Sequence, residues 1–218
     1  MFDMPLRRRI VTVAQDLVQL GLNKGAAGNV SARRDDGFLI TPSGMVPDRM
    51  LPADIVGMDM AGVWKGPRKP SSEWRFHQDI LAARPDVGAI IHTHAPFCTT
   101  LAVYGRGIPA FHYMVAAAGG KDIRCAPYAT FGTQDLSNGA VTALEGRKAC
   151  LLAHHGMIAL GSTLDEALAL TVEVETLAEI YWRTLAIGEP PILDDSEMNV
   201  VLEKFRSYGQ HAQTGHSS

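Results

Sequence analysis

Val87-Gly88-Ala89-Ile90-Ile91-His92-Thr93-His94 is an apolar stretch that ends abruptly in two imidazoles. Its branched residues read as a strand, and its ending reads as a site. A second stretch behaves in the same way. Cys150-Leu151-Leu152-Ala153 runs into His154-His155-Gly156, and Ala149 to Leu160 reads as two strands around His155-Gly156. Outward from these runs the chain mixes short strands with helices. Gly28-Asn29-Val30-Ser31, the turn Asp35-Asp36-Gly37 and Phe38-Leu39-Ile40-Thr41 make a hairpin. Ile55 to Met60 and Val63-Trp64 make a second, shorter one, and Ile123 to Tyr128 reads as a further strand.

Helices fill the gaps. Leu6, Ile10, Val13, Leu17 and Leu20 recur at helical spacing, with Gly21 and Asn23 as the stop. Pro70-Ser71-Ser72-Glu73 opens a helix that ends near Arg84-Pro85, another follows Pro96, and a short one spans Gln134 to Leu144. Thr163-Leu164-Asp165-Glu166 has the form of a capping box. It starts a long helix to about Ile187, stopped by Gly188 and Pro190. The pattern predicts an α/β fold of three layers, a central, mainly antiparallel sheet flanked by helices on both faces. One domain spans residues 1–218, with 209–218 as a polar, loose tail.

Composition narrows the function. The chain has 218 residues, 46% hydrophobic and 20% charged, with a formal net charge of -3. That balance argues against a nucleic-acid partner, which calls for a basic excess. No apolar run approaches the roughly 18 residues of a membrane span. The basic cluster Arg7-Arg8-Arg9 precedes Ile10 to Val13, but Gln15, Asp16 and Gln19 interrupt the apolar run that a signal peptide needs. Cys98, Cys125 and Cys150 are odd in number and far apart, as expected of reduced, buried thiols in a cytoplasmic protein.

His92 and His94 at i and i+2 of a strand share one face and can converge on one ion. Alone, the pair is also what a half-exposed strand would carry. The second histidine pair shifts the balance. Adjacent strand residues face opposite ways, so one of His154 and His155 joins the centre, and the glycine after His155 selects that residue. Glu73 is the fourth candidate, although an acid in a first helical turn also has the helix dipole as its reason. Gly28 to Ser31, Thr41-Pro42-Ser43-Gly44 and Pro70-Ser71-Ser72 each offer small donors and backbone N–H groups. Singly they are turns or caps. Together they would cradle a phosphate, with the last at a helix N-terminus.

Taken together, Gly28-Asn29-Val30-Ser31, Thr41 to Gly44, Ser71-Ser72-Glu73, His92-Thr93-His94 and His154-His155-Gly156 resemble the class II aldolase/adducin family over nearly the whole chain. Phe111 to Gly120 resembles its ketose-1-phosphate aldolases in particular. The resemblance implies a three-layer fold around an antiparallel sheet and a cyclic homotetramer with active sites between subunits. It implies zinc at His92, His94 and His155, with manganese, cobalt and iron as the other ions. Glu73 would be a fourth ligand in the empty site, and the acid/base once substrate displaces it. Asn29, Ser43, Gly44, Ser71 and Ser72 would bind the substrate phosphate. Tyr113, from a neighbouring subunit, would act on the aldehyde-side hydroxyl. Phe131 and Tyr208 would close the aldehyde end.

The implied reaction cleaves a ketose 1-phosphate to dihydroxyacetone phosphate and an aldehyde. Fuculose, 5-deoxyribulose and 5-methylthioribulose 1-phosphates are the candidate substrates, which places the lyase in fucose breakdown or in methylthioadenosine salvage. Phe131, Met157 or nearby alanines would supply an apolar aldehyde pocket. Dehydratase, decarboxylase and 4-epimerase relatives share the ion. The glutamate at 73, where the epimerases carry aspartate, favours aldolase chemistry. A non-catalytic metal or sugar-phosphate binder is the alternative of a different class.

Overall fold

The structure is a computed structural model that describes residues 3–207. Eight strands form one sheet: β1 (Asn29–Arg34), β2 (Gly37–Ile40), β3 (Val56–Met58), β4 (Trp64–Lys65), β5 (Ala89–Thr93), β6 (Arg124–Ala126), β7 (Ala149–Leu152) and β8 (Gly156–Gly161). Their spatial order is β4-β3-β2-β1-β5-β8-β7-β6. Only β6 and β7 pair in parallel, so the sheet is mixed and mainly antiparallel, as expected. Helices α1 (Met4–Gln19), α2 (Trp74–Ala83), α3 (Pro96–Val103), α4 (Gln134–Ala143), α5 (Leu164–Leu185) and α6 (Asp195–Ser207) surround it.

Strand alternation sends successive side chains to opposite faces and builds two cores. Val30, Ala32, Leu39, Ala89, Ile91, Met157 and Ala159 join the buried faces of α1, α3 and α5. Phe38, Ile40, Ile90, Cys150, Ile158 and Leu160 join α2 and α4. Ile10, Val13, Ala14 and Leu17 of α1 are buried at helical spacing, and Pro5 occupies its first turn. Such apolar stripes bring each helix to the sheet at about 25 cal/mol per Å² of apolar area removed from water.

The register between β1 and β5 fixes which residues can meet at the histidine end of the sheet. Asn29 stands directly opposite His92, and His92 opposite Ile158 on β8. Directly opposed residues share a face. A slip of one residue would send His92 into the α1/α3/α5 core.

The structure corrects the sequence-based expectations in several places. Helix α6 is not among the expected elements, which end at Pro190. Its signal is nevertheless present: Asp194 accepts a hydrogen bond from the Glu197 backbone N–H at 2.8 Å, and Met198 and Val201 are buried. Thr163 caps α5 by accepting from the Glu166 N–H, but the Glu166 carboxylate turns to the Ser162 N–H and hydroxyl instead of closing the box. Cys98 and Cys150 are buried, whereas Cys125 is only half-buried. Residues 209–218 lie outside the described residues.

Candidate metal centre

Each histidine reaches the centre by a different local route. His92 is the fourth residue of β5 and fully buried. Its Nδ1 lies 2.9 Å from the Met157 carbonyl across the sheet. A carbonyl only accepts, so Nδ1 carries a proton, and Nε2 is the nitrogen turned toward Glu73 and His94. His94 lies just past the strand end, where its backbone N–H donates to Asn23 Oδ1 at 3.1 Å. Asn23 is therefore more than the helix stop that its sequence position suggests.

His154 and His155 are not strand residues as expected; they form the turn between β7 and β8. The choice between them is made by backbone, not by strand alternation. His154 has φ +56°, the one left-handed non-glycine residue among those described. Its ring turns to Tyr128 with centroids 5.8 Å apart. His155 turns inward. A Cβ on the following Gly156 would sit 2.3 Å from the Thr93 carbonyl oxygen, so a side chain there would push β8 away from β5.

One ligating nitrogen from each of His92, His94 and His155 lies within 4.8 Å of the others. Glu73 stands at the N-cap of α2 rather than in its first turn, and its side chain does not cap the helix. Instead Oε2 lies 3.2 Å from His92 Nε2 and Oε1 lies 3.1 Å from His155 Nε2. Oε1 is buried and makes no hydrogen bond among the described residues. Burial alone raises the Glu73 pKa, but the facing imidazoles of His92 and His155 outweigh it and hold the carboxyl well below its ordinary range. Burial, reinforced by His92 and His155, pushes His94 down to about 4, which keeps its ring neutral near pH 7. Three imidazole nitrogens and a buried carboxylate oxygen without a donor among the described residues are the donor set a divalent ion of the zinc type takes. The residues present therefore fit the expected metal.

The three turn segments meet beside this cluster. Pro42 bridges to Pro70, the Ser43 N–H donates to the Lys69 carbonyl at 3.1 Å, and the Ser71 N–H donates to the Thr41 carbonyl at 3.0 Å. The Ser71 hydroxyl accepts from the Glu73 N–H at 3.3 Å. A cleft of about 350 Å³ is lined by Asn29, Ser43, Gly44, Ser71 and Ser72 on one side and by Glu73, His94 and His155 on another. Phe131 and Tyr128, 65% and 63% exposed, form its aromatic side with Ala129. Tyr128 is not among the expected site residues. Its only sequence signal is proximity to Phe131.

The remaining expected positions are either buried beside the cleft or outside it. Met157 is fully buried in the α1/α3/α5 core and offers the site only its carbonyl. The Asn29 side chain is 5% exposed and turned toward Glu73, its Nδ2 donating to Oε2 at 2.9 Å. Tyr113 opens a 3-10 turn (Tyr113–Ala118) and is 51% exposed. It lines a separate depression with Phe111 and α6 and does not line the histidine cleft of its own chain. Tyr208 lies outside the described residues. No helix among those described is long and apolar enough to cross a membrane.

Comparisons with known proteins agree with this geometry. The family model described as class II aldolase and adducin N-terminal domain matches residues 8–182. A 5-methylthioribulose-1-phosphate/5-deoxyribulose-1-phosphate aldolase of Rhodospirillum rubrum is 64% identical over 208 residues, covering 95% of this chain and 94% of that protein. The L-fuculose phosphate aldolase of Escherichia coli strain K12 is 51% identical over 205 residues, covering 94% and 95%. A solved L-fuculose 1-phosphate aldolase superposes with a TM-score of 0.89 at 42% identity, over 92% of this chain and 95% of that one. The histidine cluster thus sits in a fold and a sequence background that agree, and the chain belongs to the class II aldolase and adducin family.

Proposed function

We propose that this chain is a metal-dependent aldolase that cleaves a ketose 1-phosphate to dihydroxyacetone phosphate and an aldehyde. The observation that carries the reading is Glu73, buried between His92 and His155 and opening on a cleft lined by Ser43, Gly44, Ser71 and Ser72. His92, His94 and His155 would hold the ion, with zinc the best match to an all-imidazole set. A bound divalent ion supplies Lewis-acid stabilisation of negative charge at the substrate carbonyl oxygen.

The chain's own groups then divide the work. Backbone and hydroxyl donors of residues 43–44 and 71–72 take the phosphate, with the N-terminus of α2 behind them. The C4 hydroxyl passes its proton through the Tyr113 hydroxyl of a second copy to water, since Tyr113 of the same chain faces another depression. The C3–C4 bond breaks, its electrons enter an enediolate, and the C4 carbon leaves as an aldehyde. Glu73, which takes up a proton from water once substrate frees its carboxylate, delivers that proton to C3 to complete dihydroxyacetone phosphate. An active site shared between copies accords with a homotetramer working in the cytoplasm, each subunit folding as one catalytic domain.

For the aldehyde half, the 64% identical relative favours 5-methylthioribulose and 5-deoxyribulose 1-phosphates over fuculose 1-phosphate. Tyr128, Ala129 and Phe131 provide an apolar side for a methylthio or methyl group. The test is release of dihydroxyacetone phosphate from 5-methylthioribulose, 5-deoxyribulose, fuculose and ribulose 1-phosphates, each with and without chelator. Chelator-sensitive release supports the reading, and the ranking identifies the aldehyde. No release from any substrate removes it in favour of the dehydratase and decarboxylase chemistries of the family.

A further inference from the structure

Behind the metal ligands lies a buried polar group that the aldolase chemistry leaves unused. His77, on α2, is fully buried. Its ring stacks on Phe76 with centroids 4.6 Å apart, and Phe76 in turn meets the edge of His92 at 5.6 Å. Both ring nitrogens are engaged. Nδ1 lies 2.7 Å from the Ser31 hydroxyl, and Nε2 is hydrogen-bonded to Asn29 Oδ1. The Asn29 amide then reaches Glu73 Oε2.

Proton counting gives this chain of hydrogen bonds one direction. The Glu73 carboxylate only accepts, so Asn29 must turn its Nδ2 toward it. Asn29 Oδ1 therefore faces His77 and also only accepts. Nε2 must then carry the imidazole proton, which leaves Nδ1 bare to accept from the Ser31 hydroxyl. Flipping the amide would set a carbonyl oxygen against a carboxylate oxygen in a buried site, a repulsive contact left with no donor. Burial, with His92 adding to it, lowers the His77 pKa to about 3, so the ring stays neutral and keeps one donor and one acceptor.

We propose that His77 is a positioning residue: its Nε2–H orients the Asn29 amide, which ties Oε2 of Glu73 and leaves Oε1 as the working oxygen. The two carboxylate oxygens are unequal in the structure. Oε2 accepts from Asn29, whereas Oε1 has no donor among the described residues and lies beside His155. The relay Ser31–His77–Asn29–Glu73 is what makes them so. This inference rests on Glu73 acting as the acid/base of the proposed aldolase.

The test has one arm that does not need turnover. In full-length protein labelled with 15N-histidine, imidazole correlation spectra assigned with His77→Gln should show His77 as the Nε2–H tautomer. An Nδ1–H tautomer, or a mixture, overturns the proposal even if the enzyme is an active aldolase. Conversely, an inactive wild type with the Nε2–H tautomer would count against the aldolase reading alone.

The second arm is kinetic, at saturating zinc and per folded enzyme. His77→Gln keeps an amide donor within reach of Asn29, and its kcat should stay within about threefold of wild type. His77→Asn is too short to reach Asn29, and its kcat should fall about 10- to 100-fold with little change in KM. A structural role would lower the melting temperature of both variants without separating their kcat values. Equal kcat for the two overturns the proposal. If His77→Asn does not fold, Ser31→Ala replaces it. Loss of that hydroxyl should admit the Nδ1–H tautomer and lower kcat, whereas an unchanged tautomer and rate overturn the proposal.

Discussion

Ile91 and His92 are neighbours on β5, both are fully buried, and they face opposite helices. Ile91 packs with Val30, Ala159 and the apolar stripes of α1, α3 and α5. His92 meets Glu73, the carbonyl of Met157 and, through Phe76, the buried His77. The same strands thus serve two layers with different demands. One layer needs only volume and shape, so any deletion there acts on stability. The other buries polar groups, and burying those is tolerable only when each finds a partner. The contrast teaches that site and scaffold here are separated by one residue of strand alternation.

That separation can be tested, beginning with the largest effect. Replacing His92 with alanine removes one imidazole of the proposed metal site and the partner of Glu73; metal content and aldolase turnover should vanish together, turnover by about a thousandfold or more. A metal-free variant that stays active would break the comparison outright. Glu73→Gln keeps the shape and an oxygen, so it should retain its metal by elemental analysis while kcat drops about 10²- to 10⁴-fold. On the other face, Ile91→Ala should cost about 2–5 kcal/mol in urea unfolding through the cavity it leaves. Its metal content and its turnover per folded molecule should be those of the wild type. Altered turnover there would show that the two faces are coupled.

The smallest effect is a pH dependence carried by the polar layer. In the fold, His77 takes a proton only near 3, because of burial first and His92 second, whereas an unfolded histidine does so near 6.5. Below 6.5 the unfolded chain binds more protons, so this contribution is complete above that pH and is lost as the pH falls toward 3. Metal-free protein taken from about pH 7.5 to about pH 5 should lose on the order of 2 kcal/mol from His77. His94, lowered in the same direction, adds to the loss. Urea titrations at the two pH values check this, and His77→Gln should flatten the difference.

Much of the molecule is legible in the residues. The apolar runs ending in histidine, the hairpin turn at Asp35-Asp36-Gly37 and the helical spacing in α1 and α5 are local signals, and local physics writes them into sequence. The histidines can be singled out because such residues seldom end a buried strand without a partner, whereas Glu73, an acid at a helix start, stands out only through the resemblance to the family. Helix α6 escapes because Pro190 reads as the end of the ordered elements, although Asp194 and Glu197 carry an N-terminal signal. The choice of His155 comes out as expected but for another reason, the left-handed backbone of His154. His77 reads as an ordinary packing residue, because nothing near it in sequence shows that Ser31 and Asn29 would surround it.

The sequence by itself determined most element types, the alternation that makes two cores, and the set of side chains that gather at the candidate metal centre. Those depend on spacing, and spacing is a property of the chain alone. Only the tertiary structure decided the register that sets Asn29 opposite His92, the bridge of Pro42 to Pro70 that gathers the donor segments, and the placing of Tyr113 in a different depression from the histidines. Each of these joins residues distant in sequence. Their partners are chosen by which faces must be buried together, a choice that no local pattern contains.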